Sequence, residues 1–113
     1  MIMARTPTTF DPFNAVAEPK RRQVIEIIGM RELSVNEIVE LLHWPQPMVS
    51  KHLSVLKQVG LVQERRDGRQ RLYRVNVEKL KPIYDWVTPF ERYWSESHNR
   101  LDEILSELQK KEK

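Results

Sequence analysis

Five arginines, Arg65, Arg66, Arg69, Arg71 and Arg74, fall within ten positions around an Asp67-Gly68 pair. Guanidinium groups so closely spaced repel one another, and an external anion with forked acceptors, such as phosphate, relieves the repulsion. Just upstream, Gln46, Met48, Ser50, Lys51, Ser54 and Lys57 share one side of a helical period, and the stretch from Gln46 to Val59 contains no Asp or Glu. With 16 acidic residues in the chain, an acid-free segment of this length offers a polar, cationic face suited to a polyanion. From His43 to Val75 seven Lys or Arg stand against two acids, a balance of +5 in 33 residues, while the whole chain carries only +3. Localised positive charge releases counterions when it meets a phosphate backbone. A solvated charged surface has the same composition, so charge alone leaves both readings open.

Other chemistries are poorly supplied. With no cysteine, disulfides, thiolate nucleophiles and thiolate metal ligands are all excluded. Three scattered histidines and three glycines provide no nucleophile-base pair and no phosphate-cradling loop, so no enzyme and no cofactor are expected. His98, with Asp102 four residues later and Glu96 nearby, is a single histidine beside carboxylates, too few ligands for a metal site within one chain. His52 either contacts phosphate or fills space at a helix edge, His43 and Trp44 close a turn, and Arg21 and Arg22 read as intramolecular partners. No apolar run reaches about 18 residues and no charged start leads into an apolar stretch, so a cytoplasmic protein with no membrane partner is expected.

The elements that must position these residues are marked by punctuation. Asp11-Pro12 and Glu18-Pro19 open two short helices, the second ending near Gly29. Ser34-Val-Asn-Glu37 is a capping box for a third helix over about 35–42, broken by His43-Trp44-Pro45. Gln46-Pro47 opens a fourth, in which Val49, Leu53, Leu56 and Val59 form one buried stripe and Gly60 supplies a left-handed cap. Residues 61–75 flank Asp67-Gly68 as a β-hairpin with Tyr73 and Val75 turned to the helices and Arg74 away. A further helix is predicted over Glu78 to Trp86, and Thr88-Pro-Phe-Glu91 reads as a capping box for a long helix to about Lys110.

Helices, an acid-free helix and a basic hairpin in this order make a mainly α fold with a small β-hairpin: a winged helix-turn-helix, dimerising through its terminal helices. The stretch Gln46-Pro-Met-Val-Ser-Lys-His-Leu-Ser-Val-Leu-Lys-Gln-Val-Gly-Leu-Val62, followed by Arg65-Arg-Asp-Gly-Arg-Gln-Arg-Leu-Tyr-Arg74, closely resembles the ArsR/SmtB family of bacterial repressors. Phe13 to Arg22 and Ser34 to Ile38 resemble that family's first three helices, so the likeness runs from about Phe10 to Leu108. It implies a dimeric, operator-binding repressor. Metal-sensing members carry cysteines in the third helix, and the matching stretch here has none, so any metal or small-molecule inducer is left open.

These readings give a single domain over 1–113, with a winged helix-turn-helix core over 10–75 and dimerisation helices over 76–113. Double-stranded DNA is the expected partner, met by Gln46, Pro47, Met48, Ser50, Lys51, His52 and Ser54 from the helix and by Arg65, Arg66, Arg69, Gln70 and Arg71 from the wing. The homodimer seam is expected at Phe10, Phe13, Trp86, Phe90, Trp94, Leu101, Ile104, Leu105 and Leu108, a heptad-like stripe interrupted at Ser97. Two rivals are a protein-interaction module built on a coiled-coil-like C-terminal helix and a winged helix that binds RNA.

Overall fold

The computed structural model describes residues 11–111, with side chains to 110; Phe10 lies outside the described residues. The chain forms two compact units divided after Pro82.

In the first unit, α1 (Pro12–Ala17) and α2 (Pro19–Ile28) each begin with a carboxylate cap followed by proline. Asp11 Oδ1 accepts from the Phe13 N–H at 2.9 Å and Glu18 Oε1 from the Lys20 N–H at 3.1 Å. Proline costs nothing at these first helical positions because its missing N–H would have no helical partner. Arg21 and Arg22 turn back to cap α1, donating to the carbonyls of Asn14, Ala15, Val16 and Ala17. They are intramolecular, as their sequence position suggested.

Helix α3 (Val35–Leu42) opens on the full capping box: Ser34 Oγ accepts from the Glu37 N–H at 3.2 Å, and Glu37 Oε1 from the Ser34 N–H at 2.9 Å. It ends at His43, whose left-handed φ of 57° and N–H bond to the Val39 carbonyl reverse the chain. Helix α4 (Gln46–Gln58) follows after two residues. Its end closes by a paired motif in which the Leu61 N–H reaches the Leu56 carbonyl and the Gly60 N–H the Lys57 carbonyl, with Gly60 at φ 82°.

The hairpin is part of a three-stranded antiparallel sheet. Strand β1 (Glu32–Ser34) pairs with β3 (Gln70–Val75), which pairs in turn with β2 (Val62–Asp67), giving the order β1-β3-β2. The edge strand β1 was missed in the sequence because three residues are too few to display a period of two. At the hairpin tip Asp67 faces Gln70, so the loop is Gly68-Arg69. Positive φ at Gly68 and not at Arg69 is the pattern of a turn with glycine at its first central position, which matches the twist of the strands.

The core of this unit joins all its helices to the sheet. Val24, Ile28, Ile38, Val49, Leu53, Leu56, Leu61 and Val62 are fully buried, and Leu33 and Tyr73 close the sheet side. Each such aliphatic side chain contributes about 1.5–3 kcal/mol when removed from water. The whole predicted stripe of α4 lies in this core.

After a 3₁₀ turn over Val77–Leu80, α5 runs over Lys81–Val87. The predicted helix from Glu78 is corrected here. Pro82 has no N–H to bond back to the Glu78 carbonyl, so the α-helix starts late enough to keep Pro82 in its first turn. The second unit then continues through a 3₁₀ turn over Thr88–Phe90 into α6 (Glu91–Lys111). Thr88 does not cap it: the hydroxyl donates backward to the Tyr84 carbonyl, and the predicted capping box does not form. Along α6 and the turn before it, Phe90, Trp94, Leu101, Ile104, Leu105 and Leu108 are each about half exposed, between 48% and 54%.

Candidate nucleic-acid interface

Helix α4 divides by face. Val49, His52, Leu53 and Leu56 point into the core, while Gln46, Pro47, Lys51, Ser54 and Lys57 are exposed and Met48 and Ser50 half-buried. Its first turn has no side-chain cap and no acidic residue. The Met48 and Val49 N–H groups bond back to the Pro45 carbonyl and Pro45 and Pro47 have none, so what the first turn leaves to an outside acceptor is the Gln46 N–H and the positive end of the helix dipole. Its packing stripe thus holds the polar edge outward on a rigid support.

The wing divides by register. In an antiparallel pair, residues directly opposite share a face, and faces alternate along each strand. Glu64 opposite Tyr73 and Arg66 opposite Arg71 therefore share the face that bears Val62 and packs toward α4, whereas Arg65 opposite Leu72 and Asp67 opposite Gln70 take the other face. Between α4 and the wing lies an open groove of about 440 Å³ lined by Gln46, Ser50, Ser54, Lys57, Glu64 and Arg71, among others.

One carboxylate organises this groove. Glu64 Oε2 accepts from the Tyr73 hydroxyl at 2.7 Å and from Lys57 Nζ at 3.3 Å, and Oε1 lies 4.0 Å from Arg71 Nε. The Tyr73 hydrogen bond, and after it Lys57, hold the Glu64 carboxyl below the usual carboxylate range against the opposing effect of burial. Burial, helped by the bond to Glu64, pushes the Tyr73 phenol up to about 12. Glu64 is therefore ionised and Tyr73 a donor across the whole neutral range.

The predicted contact residues do not all gather here. Gln46, Ser50, Ser54 and Arg71 line the groove, Lys51 is exposed on the same helix, and Arg66 and Arg69 are exposed at the hairpin tip. Met48 is turned to α2, where its sulfur accepts from Lys20 Nζ at 3.7 Å, and Pro47 has no N–H to offer. His52 is buried at 8% exposure, edge-on to Trp44, and so sits among the packed residues rather than on the exposed edge of α4. Burial, and after it the Arg21 charge, lowers its pKa. Arg65 is engaged by Glu32 in a two-pronged ion pair at 2.6 and 2.7 Å, on the face away from α4, and Gln70 shares that face. Sequence alone could not separate Arg65 from Arg71, because the residue that claims Arg65 is 33 positions away.

Residues 18–64 match the family model for bacterial regulatory proteins of the arsR family. Arsenic resistance transcriptional regulator ArsR1 of Pseudomonas putida is 30% identical over 68% of this chain and 70% of its own length. The chain belongs to the arsR family. HTH-type transcriptional repressor SmtB of Mycobacterium tuberculosis is 43% identical over 61% of this chain and 51% of its own. Among solved structures, a possible transcriptional regulator for arsenical resistance superposes with a TM-score of 0.62 at 31% identity, covering 76% of this chain and 95% of that one. The chain spans about half the length of several curated relatives it matches. The family match ends at Glu64, inside the wing, so it covers α4 whole and leaves the hairpin tip and α6 to be read from their own residues.

Among the described residues no group of three or more His, Asp or Glu is placed to hold a metal ion, and no helix is long and apolar enough to cross a membrane. Lys57, Glu64 and Tyr73 were absent from the sequence-predicted set. Lys57 lay on the acid-free face, but Glu64 and Tyr73 could be found only once the strand register paired them.

Proposed function

We propose that the chain is a sequence-specific, double-stranded-DNA-binding transcriptional repressor that acts in the cytoplasm as a homodimer on an inverted-repeat operator. The observation that carries this is the groove in which the acid-free edge of α4 and the basic face of the wing meet. Helix α4 enters the major groove with its first turn leading, Gln46 and Ser50 reach base edges, and Lys51 and Ser54 hold backbone or bases. Arg66, Arg69 and Arg71 grip phosphates beside it or enter the adjacent minor groove. The names of the relatives, repressors and resistance regulators, support this reading.

The dimer seam is assigned to Trp94, Leu101, Ile104, Leu105 and Leu108 with Phe90 and Trp86 at its start, since α6 leaves these residues half exposed or more. Phe13, 38% exposed in the first unit, is a separate candidate for contact with a second copy. An inverted-repeat operator presents its two half-sites about 34 Å apart, one turn of duplex, one for the α4 of each copy.

The test compares binding of labelled duplex and of single-stranded RNA as salt is varied. Duplex affinity should fall steeply with salt, by about 0.9 in log K per log salt for each phosphate contact. Arg66→Ala with Arg69→Ala should weaken binding to every duplex and reduce that slope by about 2. Preference for RNA would favour the rival reading, and an unchanged slope would take the wing tip out of the interface.

A further inference from the structure

Glu64 is the acidic residue among those lining the groove between α4 and the wing, and it is held there rather than swung out to solvent. Its side chain is only 16% exposed and fixed by the Tyr73 hydroxyl, a group anchored in the core at 7% exposure. The two cations beside it are of a different kind: Lys57 and Arg71 are 54% and 55% exposed and come from separate elements, the last turn of α4 and the start of β3. One fixed carboxylate thus holds a hydrogen bond from Lys57 and stands 4.0 Å from Arg71, two exposed cations in the groove that the DNA-binding reading turns toward the nucleic acid.

A carboxylate so placed competes with phosphate for both cations and adds a repulsion of its own to any polyanion in the groove. We propose that Glu64 is a specificity-determining residue, which holds Lys57 and Arg71 in one arrangement and so suppresses binding to DNA of arbitrary sequence. On an operator, base contacts from α4 set the register, and the phosphates arrive where the restrained cations already point. On arbitrary duplex no register is imposed, and affinity depends on long cationic side chains following whatever phosphates are nearest. Restraint therefore costs non-specific binding more than operator binding. The bond from Tyr73 makes the restraint part of the fold, since the phenol that aims Glu64 also closes the core.

The inference rests on the DNA-binding reading, and the experiment separates the two. Glu64→Gln keeps an acceptor for Tyr73 and removes the charge. The wild-type chain and this variant are titrated against a random-sequence duplex and against an operator duplex recovered from a random library by the wild-type chain, at several salt concentrations. Glu64→Gln should tighten random-duplex binding by roughly tenfold at low salt and steepen its salt slope by about 1 to 2, as two released cations require. Operator affinity should rise less, so discrimination falls. Glu78→Gln, which adds the same unit of charge in the Val77–Leu80 turn, should produce neither change. If Glu64→Gln fails to fold by circular dichroism, Tyr73→Phe keeps the core ring, frees the carboxylate and should lower discrimination in the same direction. A wild-type chain that binds no duplex overturns the DNA-binding reading and this inference with it. A wild-type chain that binds, with a Glu64→Gln variant of unchanged slope or weakened equally on all duplexes, overturns the inference alone.

Discussion

Side chains of the same chemistry meet different fates on this wing, and the partner decides which. Arg65 spends both prongs of its guanidinium on Glu32, which raises the arginine's pKa and lowers the glutamate's through the same hydrogen bonds. Arg71 lies 4.0 Å from its carboxylate and retains donors for an outside acceptor. In both ion pairs the arginine is more than half exposed, a setting in which such pairs stabilise little, so their value lies in placing charge. His52 is the opposite case, a titratable ring inside the unit whose Nδ1 is buried without a hydrogen-bond partner among the described residues. The charged groups around it are Glu18, Lys20 and Arg21 from α2 and its cap, and Lys51 on α4 itself. The three cations and burial outweigh Glu18, so the folded state disfavours the protonated ring. The unfolded chain binds a proton near 6.5 while the folded chain does not until lower pH, so stability is full above that value and is lost as pH falls below it. Thermal midpoints should therefore decline from pH 7 toward pH 5. His52→Leu should flatten the decline over that window, and a variant that retains the full slope would place the titration on another group.

At the scale of elements, the sharpest constraint sits where α4 hands the chain to the wing. Gly60 occupies a left-handed conformation at φ 82°, and a Cβ there would lie 3.3 Å from Lys79 Cε. Lys79 can move, but the backbone cannot leave that region without breaking the Leu61-to-Leu56 and Gly60-to-Lys57 bonds that aim β2. Gly60→Ala should cost about 1–2 kcal/mol of unfolding free energy in urea titration. A loss near zero would mean that the helix end has more freedom than its paired bonds allow. Gly68 differs, because a Cβ there meets nothing within 4 Å and only its φ of 64° disfavours substitution.

At the scale of the whole molecule, the second unit carries an amphipathic helix whose apolar stripe its own residues leave half exposed. Such a stripe along 21 residues of helix, about 30 Å, is a large apolar surface to leave in water. Pairing with a second copy removes it, and this is the seam proposed above. Leu101→Glu with Ile104→Glu places like charges in that seam. Light scattering should then report a monomer, with operator affinity reduced by orders of magnitude because one recognition helix replaces two. A variant that remains dimeric and bound to operator would move the seam elsewhere on the chain.

The caps, breaks and stripes were legible in the sequence because they depend on residues at most a turn or two apart. The Ser34 capping box, the proline starts at Pro12 and Pro19, the left-handed Gly60 and the buried run Val49, Leu53, Leu56 and Val59 all stand as read. The reading failed locally where two short-range signals competed. Pro82 set the start of α5, and the Thr88 hydroxyl found the Tyr84 carbonyl before it could cap α6. Tertiary structure alone decided the pairings across long separations. Glu32 reaches Arg65 because β1 joins the sheet beside β3, and Glu64 meets Tyr73 because the two-residue loop at Gly68 fixes the register. A shift of one residue there would turn Arg71 and Glu64 to the other face, since side chains alternate along a strand. Composition thus announces a basic wing, but only the register determines which of its cations face α4 and which carboxylate lies beside them.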